Sequence, residues 1–180
     1  MESEREACEV LKNGGVIVHP TEAVFGLAGS LYDYGAFEKI SLLKKRPVNK
    51  KFIILVADAD AASELVDLNI TRRSEILASW PGPNTWVLPA REDVPFWVSD
   101  SDSLVALRVT AHQQCRKIIE NVGPILSTSA NRAGTPPSET LDEVEKIFGN
   151  SVDFYLDGIL GGLETVTGIK NGLTGETLRK

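Results

Sequence analysis

The spacing of apolar residues along the chain predicts alternating helices and strands. Apolar residues three and four positions apart indicate helical faces, as in Ala7, Val10 and Leu11, and short continuous apolar runs such as Val16-Ile17-Val18 indicate buried strands. Further helices are predicted near residues 37–43, 59–68, 71–80, 112–121 and 141–148, and further strands near 52–56, 85–88, 104–109, 124–126 and 152–156. This alternation favours an α/β fold with a twisted, open, mixed sheet covered by helices.

Local signals predict where several of these elements end. Thr140 with Glu143 three residues later has capping-box spacing, so a helix begins there. Pro47 disfavours helix in the residue before it, so the second helix ends in front of it. Gly26 and Gly29 predict an irregular backbone after the first strand. The glycine-rich tail predicts only short edge strands.

Length, charge and cysteine content limit the classes of protein to consider. A chain of 180 residues can form one well-packed core, so we expect a single domain over residues 1–180. The net charge of −6 argues against broad electrostatic binding of nucleic acid. Two cysteines are too few for a disulfide framework, and the charged N-terminus lacks the apolar core of a signal peptide. We therefore expect a cytoplasmic protein that does not contact the membrane.

One segment is strongly basic within this acidic chain. The cations Lys44, Lys45, Arg46, Lys50 and Lys51 stand in a predicted connection between a helix and a buried strand. They can form a solvated basic loop, because cations are favoured at a helix C-terminus. They can equally form an anion site for polyphosphate, with Arg46 as a bidentate donor and the lysines as point charges. Both interpretations remain open at this level.

Polar side chains recur where predicted strands end. Thr21 and Glu22 follow the first strand, Arg108 lies at the end of another, and Ser127 to Asn131 follow a third. Ligands of open α/β sheets tend to bind beyond strand ends, so these groups and the basic segment are expected to converge on one phosphate-rich small-molecule site. The alternatives are an ordinary serine turn, a surface salt bridge for Arg108, and a metal ligand or turn cap for Glu22.

Several other sites are excluded by the residues present. The chain lacks both G-x-x-x-x-G-K-[ST] and G-x-G-x-x-G, and its two histidines and two cysteines have no zinc-ligand spacing. His19 is predicted to be a strand-end histidine with its hydrogen bonds satisfied, and His112 an exposed residue at a helix start.

Five short motifs, in order along the chain, resemble those of the YrdC/TsaC family. They are His19-Pro20-Thr21-Glu22-Ala23-Val24-Phe25-Gly26-Leu27, Lys44-Lys45-Arg46-Pro47 with Lys50, Trp80-Pro81-Gly82-Pro83-Asn84-Thr85, Leu107-Arg108-Val109 and Ser127-Thr128-Ser129-Ala130-Asn131. The resemblance runs from about Lys12 to the C-terminus and implies a YrdC-like fold. It also implies a nucleotidyltransferase that combines L-threonine, bicarbonate or CO₂, and ATP into threonylcarbamoyl-AMP and pyrophosphate. A separate transferase complex would then use this product to modify tRNA.

The resemblance implies a role for each matching residue. Lys44, Arg46, Ser129 and Asn131 fall on the ATP positions, Lys50 is a further cation near the phosphates, and Lys44 and Arg46 would be catalytic through charge stabilisation. The threonine positions are matched by Thr21, Arg108 and Ser127. Thr167 stands where longer members carry a P-S-T-[VI] element, and it keeps the hydroxyl there. ATP would be a substrate accompanied by Mg²⁺, without a metal site on the protein.

A second hypothesis belongs to a different class. The chain would be a non-catalytic RNA-binding or ribosome-assembly factor whose basic segment, residues 44–51, contacts the RNA backbone. The acidic net charge argues against this role, although an enzyme could also make a weak contact with RNA. Pyrophosphate release that depends on threonine separates the two hypotheses.

Overall fold

The computed structural model describes residues 2–45 and 52–179. Its helices are α1 (Glu2–Lys12), α2 (Tyr34–Lys44), α3 (Ala59–Leu65), α4 (Arg73–Ala78), α5 (Gln113–Val122) and α6 (Leu141–Phe148), followed by a short 3₁₀ helix (Gly149–Ser151). Its strands are β1 (Ile17–Pro20), β2 (Phe25–Ser30), β3 (Ile53–Val56), β4 (Asn84–Pro89), β5 (Leu104–Val109), β6 (Ile125–Ser129), β7 (Phe154–Tyr155), β8 (Gly168–Asn171) and β9 (Thr177–Arg179). The predicted alternation of helices and strands is confirmed.

The nine strands form one mixed sheet in the order β7-β1-β2-β6-β3-β5-β4-β8-β9. Of the described strands, three neighbouring pairs are parallel (β1 with β7, β3 with β5, β4 with β8), and the other five are antiparallel. The centre is formed by β6, β3 and β5, so β3 is inserted between two strands that follow it in the chain. The predicted open mixed α/β sheet is therefore confirmed.

The two faces of the sheet are covered to different extents. On the first face, Ile54, Leu107 and Trp86 belong to the larger core, to which α2, α3, α4 and α6 contribute their apolar residues. On the second face, Ile17, Leu55 and Ile125 belong to a smaller core, to which α1 and α5 contribute their apolar residues. The rest of the second face, around β3, β5 and the end of β6, is not covered by these two helices.

The prediction of an irregular backbone at Gly26 and Gly29 is wrong, because β2 runs through both residues. A Cβ on Gly29 would lie 2.7 Å from the Cβ of Ala36, so glycine lets α2 pack directly on this strand. A strand that lacks side chains where its neighbours approach closely loses the apolar signature on which strand prediction depends. The predicted edge strands of the tail are confirmed as β8 and β9.

Capping predictions agree with the structure in the second half of the chain. The Thr140 hydroxyl accepts a hydrogen bond from Glu143 N at 3.4 Å and begins α6. His112 begins α5, where its Nδ1 accepts from Cys115 N at 3.4 Å. His112 is half-buried rather than exposed, because this cap holds its ring against the protein. Among the described residues, no helix is long and apolar enough to cross a membrane.

Candidate active site

A cavity of about 470 Å³ lies over the uncovered part of the second sheet face. Its floor is formed by residues that alternate along the central strands, including Ile53 of β3, Ala106 of β5 and Ser127 of β6. Because side chains two positions apart point to the same face of a strand, this alternation places polar and apolar side chains in one concave surface. The volume is within the range that small-molecule ligands require.

The cavity brings together the predicted site residues that the structure describes: Thr21, Lys44, Arg108, Ser127, Ser129, Asn131 and Thr167. Arg46 and Lys50 lie outside the described residues. The expected location beyond the strand ends is wrong in detail, because Arg108, Ser127 and Ser129 lie within β5 and β6 and face the cavity from the sheet surface. Helices α1 and α5 cover only part of this face, and the cavity occupies the part that they leave uncovered.

Lys44 is a buried cation at the last turn of α2, only 3% exposed. Its ammonium group donates to Ser129 O at 2.5 Å, Asn131 O at 2.9 Å and Asn131 Oδ1 at 2.9 Å. These three oxygens match the three hydrogens of the ammonium group. Lys44 therefore fastens the Ser129–Asn131 segment to the end of α2 and places a positive charge at that side of the cavity.

Asn131 is the centre of this cluster. Its Oδ1 accepts from Lys44 and from Ser129 Oγ at 2.6 Å, while its Nδ2 donates to Arg132 O at 3.1 Å and to Thr135 O. An amide has two acceptor and two donor positions, so Asn131 has a partner in each. The ordinary serine turn considered from the sequence is therefore replaced by a connected network built on β6 and α2.

Arg108 is the second buried cation of the cavity. Its Nη1 donates to Thr167 Oγ1 at 2.7 Å, and its Nη2 lies 3.1 Å from Glu22 Oε2, with side-chain exposures of 5% and 7% for the pair. Arg108 Nε is buried and has no hydrogen-bond partner among the described residues. The surface salt bridge considered from the sequence is thus a buried pair beside the cavity, and these two contacts use only part of the donor capacity of the guanidinium.

Glu22 is fixed by its own contacts. Its Oε1 accepts from Thr110 Oγ1 at 2.7 Å and from Ala111 N at 3.1 Å. Burial by itself raises the pKa of Glu22, but the charge of Arg108 and the hydrogen bonds from Thr110 and Ala111 outweigh it and hold the pKa below its ordinary value. Glu22 is therefore an ionised partner that orients Arg108, and neither of its two predicted roles, metal ligand or turn cap, describes this contact.

Thr167 connects Arg108 to a cation that the sequence did not single out. Arg179 of β9 donates to Thr167 O through Nε at 3.1 Å and through Nη2 at 2.7 Å, and it lines the cavity. It escaped prediction because it is the penultimate residue of a tail without strong periodicity. Pairing of β8 with β4, next to β5, brings this edge of the sheet to the cavity. A basic residue in a short edge strand was the only available signal.

Two further hydroxyl groups line the cavity. Thr21 Oγ1 donates to Val24 O at 2.6 Å, and Ser127 Oγ lies 3.2 Å from His19 Nε2. His19 is fully buried, and its Nδ1 lies 3.1 Å from Pro20 O, which confirms the prediction of a satisfied strand-end histidine. Burial, reinforced by the charges of His112 and Arg108, lowers the pKa of His19 to about 4. His19 is therefore neutral at physiological pH.

Residues 9–169 match the model of the Sua5/YciO/YrdC family, which carries the description "telomere recombination". The chain belongs to this family. A threonylcarbamoyl-AMP synthase of Nitrosococcus oceani is 43% identical over 97% of this chain and 96% of that protein. Proteins of the same name from Coxiella burnetii and Pseudomonas aeruginosa are 35% and 38% identical, over 99% and 96% of this chain.

Solved structures of the Sua5/YciO/YrdC family have the same fold. Sua5 of P. abyssi complexed with L-threonine superposes with a TM-score of 0.86 at 31% identity, covering 93% of this chain and 50% of that one. E. coli YciO superposes with a TM-score of 0.84 at 22% identity, which shows the shared fold alone. This chain spans about half the length of the Sua5 chain and nearly all of the synthases named above.

A resident metal site is not evident in the described part of this family member. Its histidine, cysteine, aspartate and glutamate side chains form no group of three that could hold a metal ion. Glu22, the carboxylate nearest Arg108, has its oxygens directed at Thr110, Ala111 and Arg108. The cavity therefore supplies cations, hydroxyls and amides, which suit anionic and zwitterionic ligands.

Proposed function

We propose that this chain is a threonylcarbamoyl-AMP synthase that uses L-threonine, bicarbonate or CO₂, and ATP. The observation that carries the proposal is the convergence of two buried cations, Lys44 and Arg108, on one cavity that is also lined by the hydroxyl residues Thr21, Ser127, Ser129 and Thr167. One cation suits a carboxylate and the other lies beside the segment assigned to ATP. Near-full-length similarity to proteins named for this activity supports the same conclusion.

The reaction needs no nucleophile from the protein. The threonine amine attacks CO₂ and loses a proton to give a carbamate, whose oxygen attacks the α-phosphorus of ATP while pyrophosphate leaves. The protein's contribution is to hold the two reactants in line and to stabilise the charge that develops on the phosphate oxygens. Lys44 and Arg46 are assigned to that charge stabilisation, and Lys50 to a further phosphate contact.

Arg108 is assigned to the threonine carboxylate. Glu22 and Thr167 hold its guanidinium in place, so its other donors are oriented before the substrate arrives. A positioned guanidinium binds a carboxylate through charge-assisted hydrogen bonds, which are stronger than neutral ones. Thr21, Ser127 and Thr167 are assigned to the polar groups of the amino acid. Hydroxyl partners discriminate strongly between substrates, whereas one methyl group contributes about 1–3 kcal/mol.

ATP is assigned to the side of the cavity formed by Lys44, Ser129 and Asn131. The three hydrogens of Lys44 are already used within the protein, so its effect on the phosphates is first that of a nearby positive charge. Mg²⁺ would enter bound to the phosphates of ATP as part of the substrate, since it commonly retains water and needs few protein ligands. Arg179, which lines the same cavity, is a further cation available to the substrates.

The proposal extends to the surroundings of the enzyme. ATP and tRNA are cytoplasmic molecules, so a cytoplasmic location accompanies it, with residues 1–180 acting as a single domain. Delivery of the product to a tRNA-modifying transferase complex, and a weak contact with RNA, are part of the same proposal. The alternative of a non-catalytic RNA-binding or ribosome-assembly factor finds no support in the relatives named above.

The test is a reconstitution with purified protein. ATP, bicarbonate and L-threonine should yield pyrophosphate together with threonylcarbamoyl-AMP identified by mass spectrometry. Omission of threonine should nearly abolish both products, whereas replacement by valine tests the hydroxyl requirement. Equal pyrophosphate release without threonine would identify a different nucleotide-hydrolysing enzyme and reject the proposal.

A further inference from the structure

His19 is not among the residues assigned to either substrate. Its side chain nevertheless contacts Ser127, one of the residues assigned to the amino acid, across an intervening strand. In the sheet register His19 of β1 pairs with Gly26 of β2, and Ser127 belongs to β6 on the far side of β2. The imidazole nevertheless reaches Ser127 Oγ, 3.2 Å from its Nε2. A direct contact between side chains two strands apart is possible only where the intervening strand has no side chain in the way.

Gly26 of β2 is the position without a side chain over which this contact is made. A Cβ at position 26 would lie 3.0 Å from His19 Nε2 and 3.0 Å from Ser127 Oγ, closer than such atoms ordinarily approach. Glycine is therefore required for the imidazole to pass over β2 at this distance. The contact is built into the backbone of three neighbouring strands, so it is not an incidental rotamer of one side chain.

The second nitrogen of His19 fixes the hydrogen positions. Nδ1 lies 3.1 Å from the carbonyl oxygen of Pro20, and a carbonyl oxygen only accepts hydrogen bonds. Nδ1 therefore carries the hydrogen of the neutral ring. Nε2 is left with a lone pair, and the Ser127 hydroxyl must donate to it. The lowered pKa of His19 agrees with a ring that carries a single hydrogen.

The contact also determines what Ser127 offers to a ligand. With its hydrogen directed at His19, Ser127 Oγ retains only lone pairs for the cavity. Thr21 Oγ1 likewise offers only lone pairs to a ligand, because its hydrogen is donated to Val24 O at 2.6 Å. Thr167 differs from them, since its hydroxyl oxygen accepts from Arg108 and its own hydrogen, which that contact does not use, can be donated. The cavity thus contains two hydroxyl oxygens that can only accept from a ligand and, at Arg108 and Thr167, groups that can donate to it.

We propose that His19 is a positioning residue that fixes Ser127 as a hydrogen-bond acceptor for the nitrogen of the amino-acid substrate. This inference rests on the proposed function. A zwitterionic amino acid carries donors on its nitrogen and acceptors on its carboxylate. It therefore fits with the nitrogen toward Ser127 and Thr21, and the carboxylate toward Arg108 and Thr167. The carbamate that forms keeps an N–H, so the same acceptors serve it after reaction with CO₂.

The tautomer can be measured in the unmodified protein. The chain has two histidines, and His112 has the opposite arrangement, because its Nδ1 accepts from Cys115 N and its Nε2 lies 2.9 Å from Ile159 O. Long-range ¹H–¹⁵N correlation spectra at pH 7 should give a protonated Nδ1 for His19 and a protonated Nε2 for His112. A His112→Asn variant assigns the signals. A protonated Nε2 on His19 would make Ser127 a donor and overturn the inference.

Calorimetric titration with L-threonine tests the effect on binding. His19→Phe and Ser127→Ala should each raise the Kd for threonine about tenfold, the loss expected for one oriented hydrogen bond. The double variant should be no weaker than Ser127→Ala alone, because His19 acts through Ser127. Ile17→Ala is the matched control, a buried residue of the same strand that packs toward α1, and its Kd for threonine should stay unchanged.

The outcomes separate this inference from the proposed function. Threonine binding by the wild-type protein with additive effects of the His19 and Ser127 changes would overturn the role of His19 alone. A wild-type protein that does not bind L-threonine would overturn the proposed function itself. ATP titrated without threonine should bind the His19→Phe variant as tightly as the wild type, and a large loss there would also reject a role confined to the amino acid.

Discussion

Arg108 and Lys44 are buried cations that the protein stabilises in different ways. Arg108 is paired with the ionised Glu22, whereas the Lys44 ammonium is held by oxygens of Ser129 and Asn131. Removing a charge from water is costly unless partners replace the lost hydration. Both sets of partners come from distant parts of the chain, so each cation is positioned only in the folded protein.

Replacing Arg108 should affect the amino acid and spare the nucleotide. Loss of a charge-assisted partner of a bound anion costs about 1.5–3 kcal/mol, so Arg108→Ala should raise the apparent KM for threonine at least tens-fold. ATP binding measured without threonine should change little. Asn131→Ala should have the reverse effect, because it removes an anchor of Lys44 and loosens the segment assigned to ATP.

Calorimetric titration of ATP into both variants without threonine checks this division, with circular dichroism to confirm folding. A folded Arg108→Ala protein that no longer binds ATP would make Arg108 a phosphate ligand. The assignment of the two sides of the cavity would then be wrong.

The basic segment offers a matched pair of neighbours. Lys45 ends α2 in a left-handed conformation with φ of 50°, and its side chain is exposed. Arg46→Ala should reduce kcat/KM by about tenfold or more, because a guanidinium that contacts phosphate is lost. Lys45→Ala should have a much smaller effect on kcat/KM. Equal losses in the pyrophosphate assay would indicate a diffuse basic surface instead of one specific phosphate contact.

Helix α2 links the core to the cavity. Its N-terminus is capped by Asp33, whose Oδ1 accepts from Ala36 N at 2.8 Å, and its last residue is Lys44. Ala36 packs on Gly29 of β2, which fixes the height of the helix over the sheet. The position of Lys44 in the cavity therefore depends on contacts made about two to three turns earlier in the helix.

Removing the helix caps should lower stability by different amounts. Asp33→Ala removes a carboxylate that accepts a short hydrogen bond from Ala36 N, and it should reduce the free energy of unfolding by about 1 kcal/mol. Thr140→Ala is the matched control at α6, where the capping distance is 3.4 Å, and should cost less. Urea unfolding monitored by circular dichroism measures both. A larger loss for Thr140→Ala would mean that cap geometry does not determine their contributions.

At the scale of the whole molecule, both faces of the sheet pack against helices, and the second face also forms the cavity. The first face is covered by four helices, whereas the second is covered by α1 and α5 over part of its area. Helices over the whole of both faces would bury more apolar surface and stabilise the sheet further, but they would leave no space for the cavity. The uncovered part of the second face is where Arg108, Ser127 and Ser129 meet the cavity.

Burial of His19 should make global stability depend on pH. Its pKa is about 4 in the folded protein and about 6.5 in an unfolded chain, so between these values only the unfolded state binds the proton. The free energy of unfolding should therefore fall as pH is lowered through this window, by about 2 kcal/mol between pH 7 and pH 5. His19→Phe should remove that part of the slope in urea titrations.

Glu22 acts in a different pH range. Its pKa is lowered in the folded protein, so the stability it contributes is present above its ordinary pKa of 4.5 and is lost as pH falls through the folded value. Comparison at pH 7 and pH 5 thus isolates His19. An unchanged slope in His19→Phe would show that another group controls stability in this window.

Apart from β2, the sequence alone determined the order of the helices and central strands, and it identified most of the residues around the cavity. Helical periodicity marks α2 and α6, and a continuous apolar run marks β5, because each pattern reflects burial along a single segment of the chain. The motifs that resemble the family contain Lys44, Arg108 and Asn131, which the structure places around one space. Local patterns and short motifs survive in the sequence because they involve residues close together along the chain.

Only the tertiary structure decided how these residues meet. β2 carries glycines where its neighbours approach, so neither the strand nor the contact of His19 with Ser127 has a local signature. Glu22 and Arg108 are 86 residues apart, and Arg179 reaches the cavity through an edge strand. Partnerships of this kind depend on strand order and on which face is left uncovered. Those features arise from packing of the whole sheet, so no single segment of the sequence contains them.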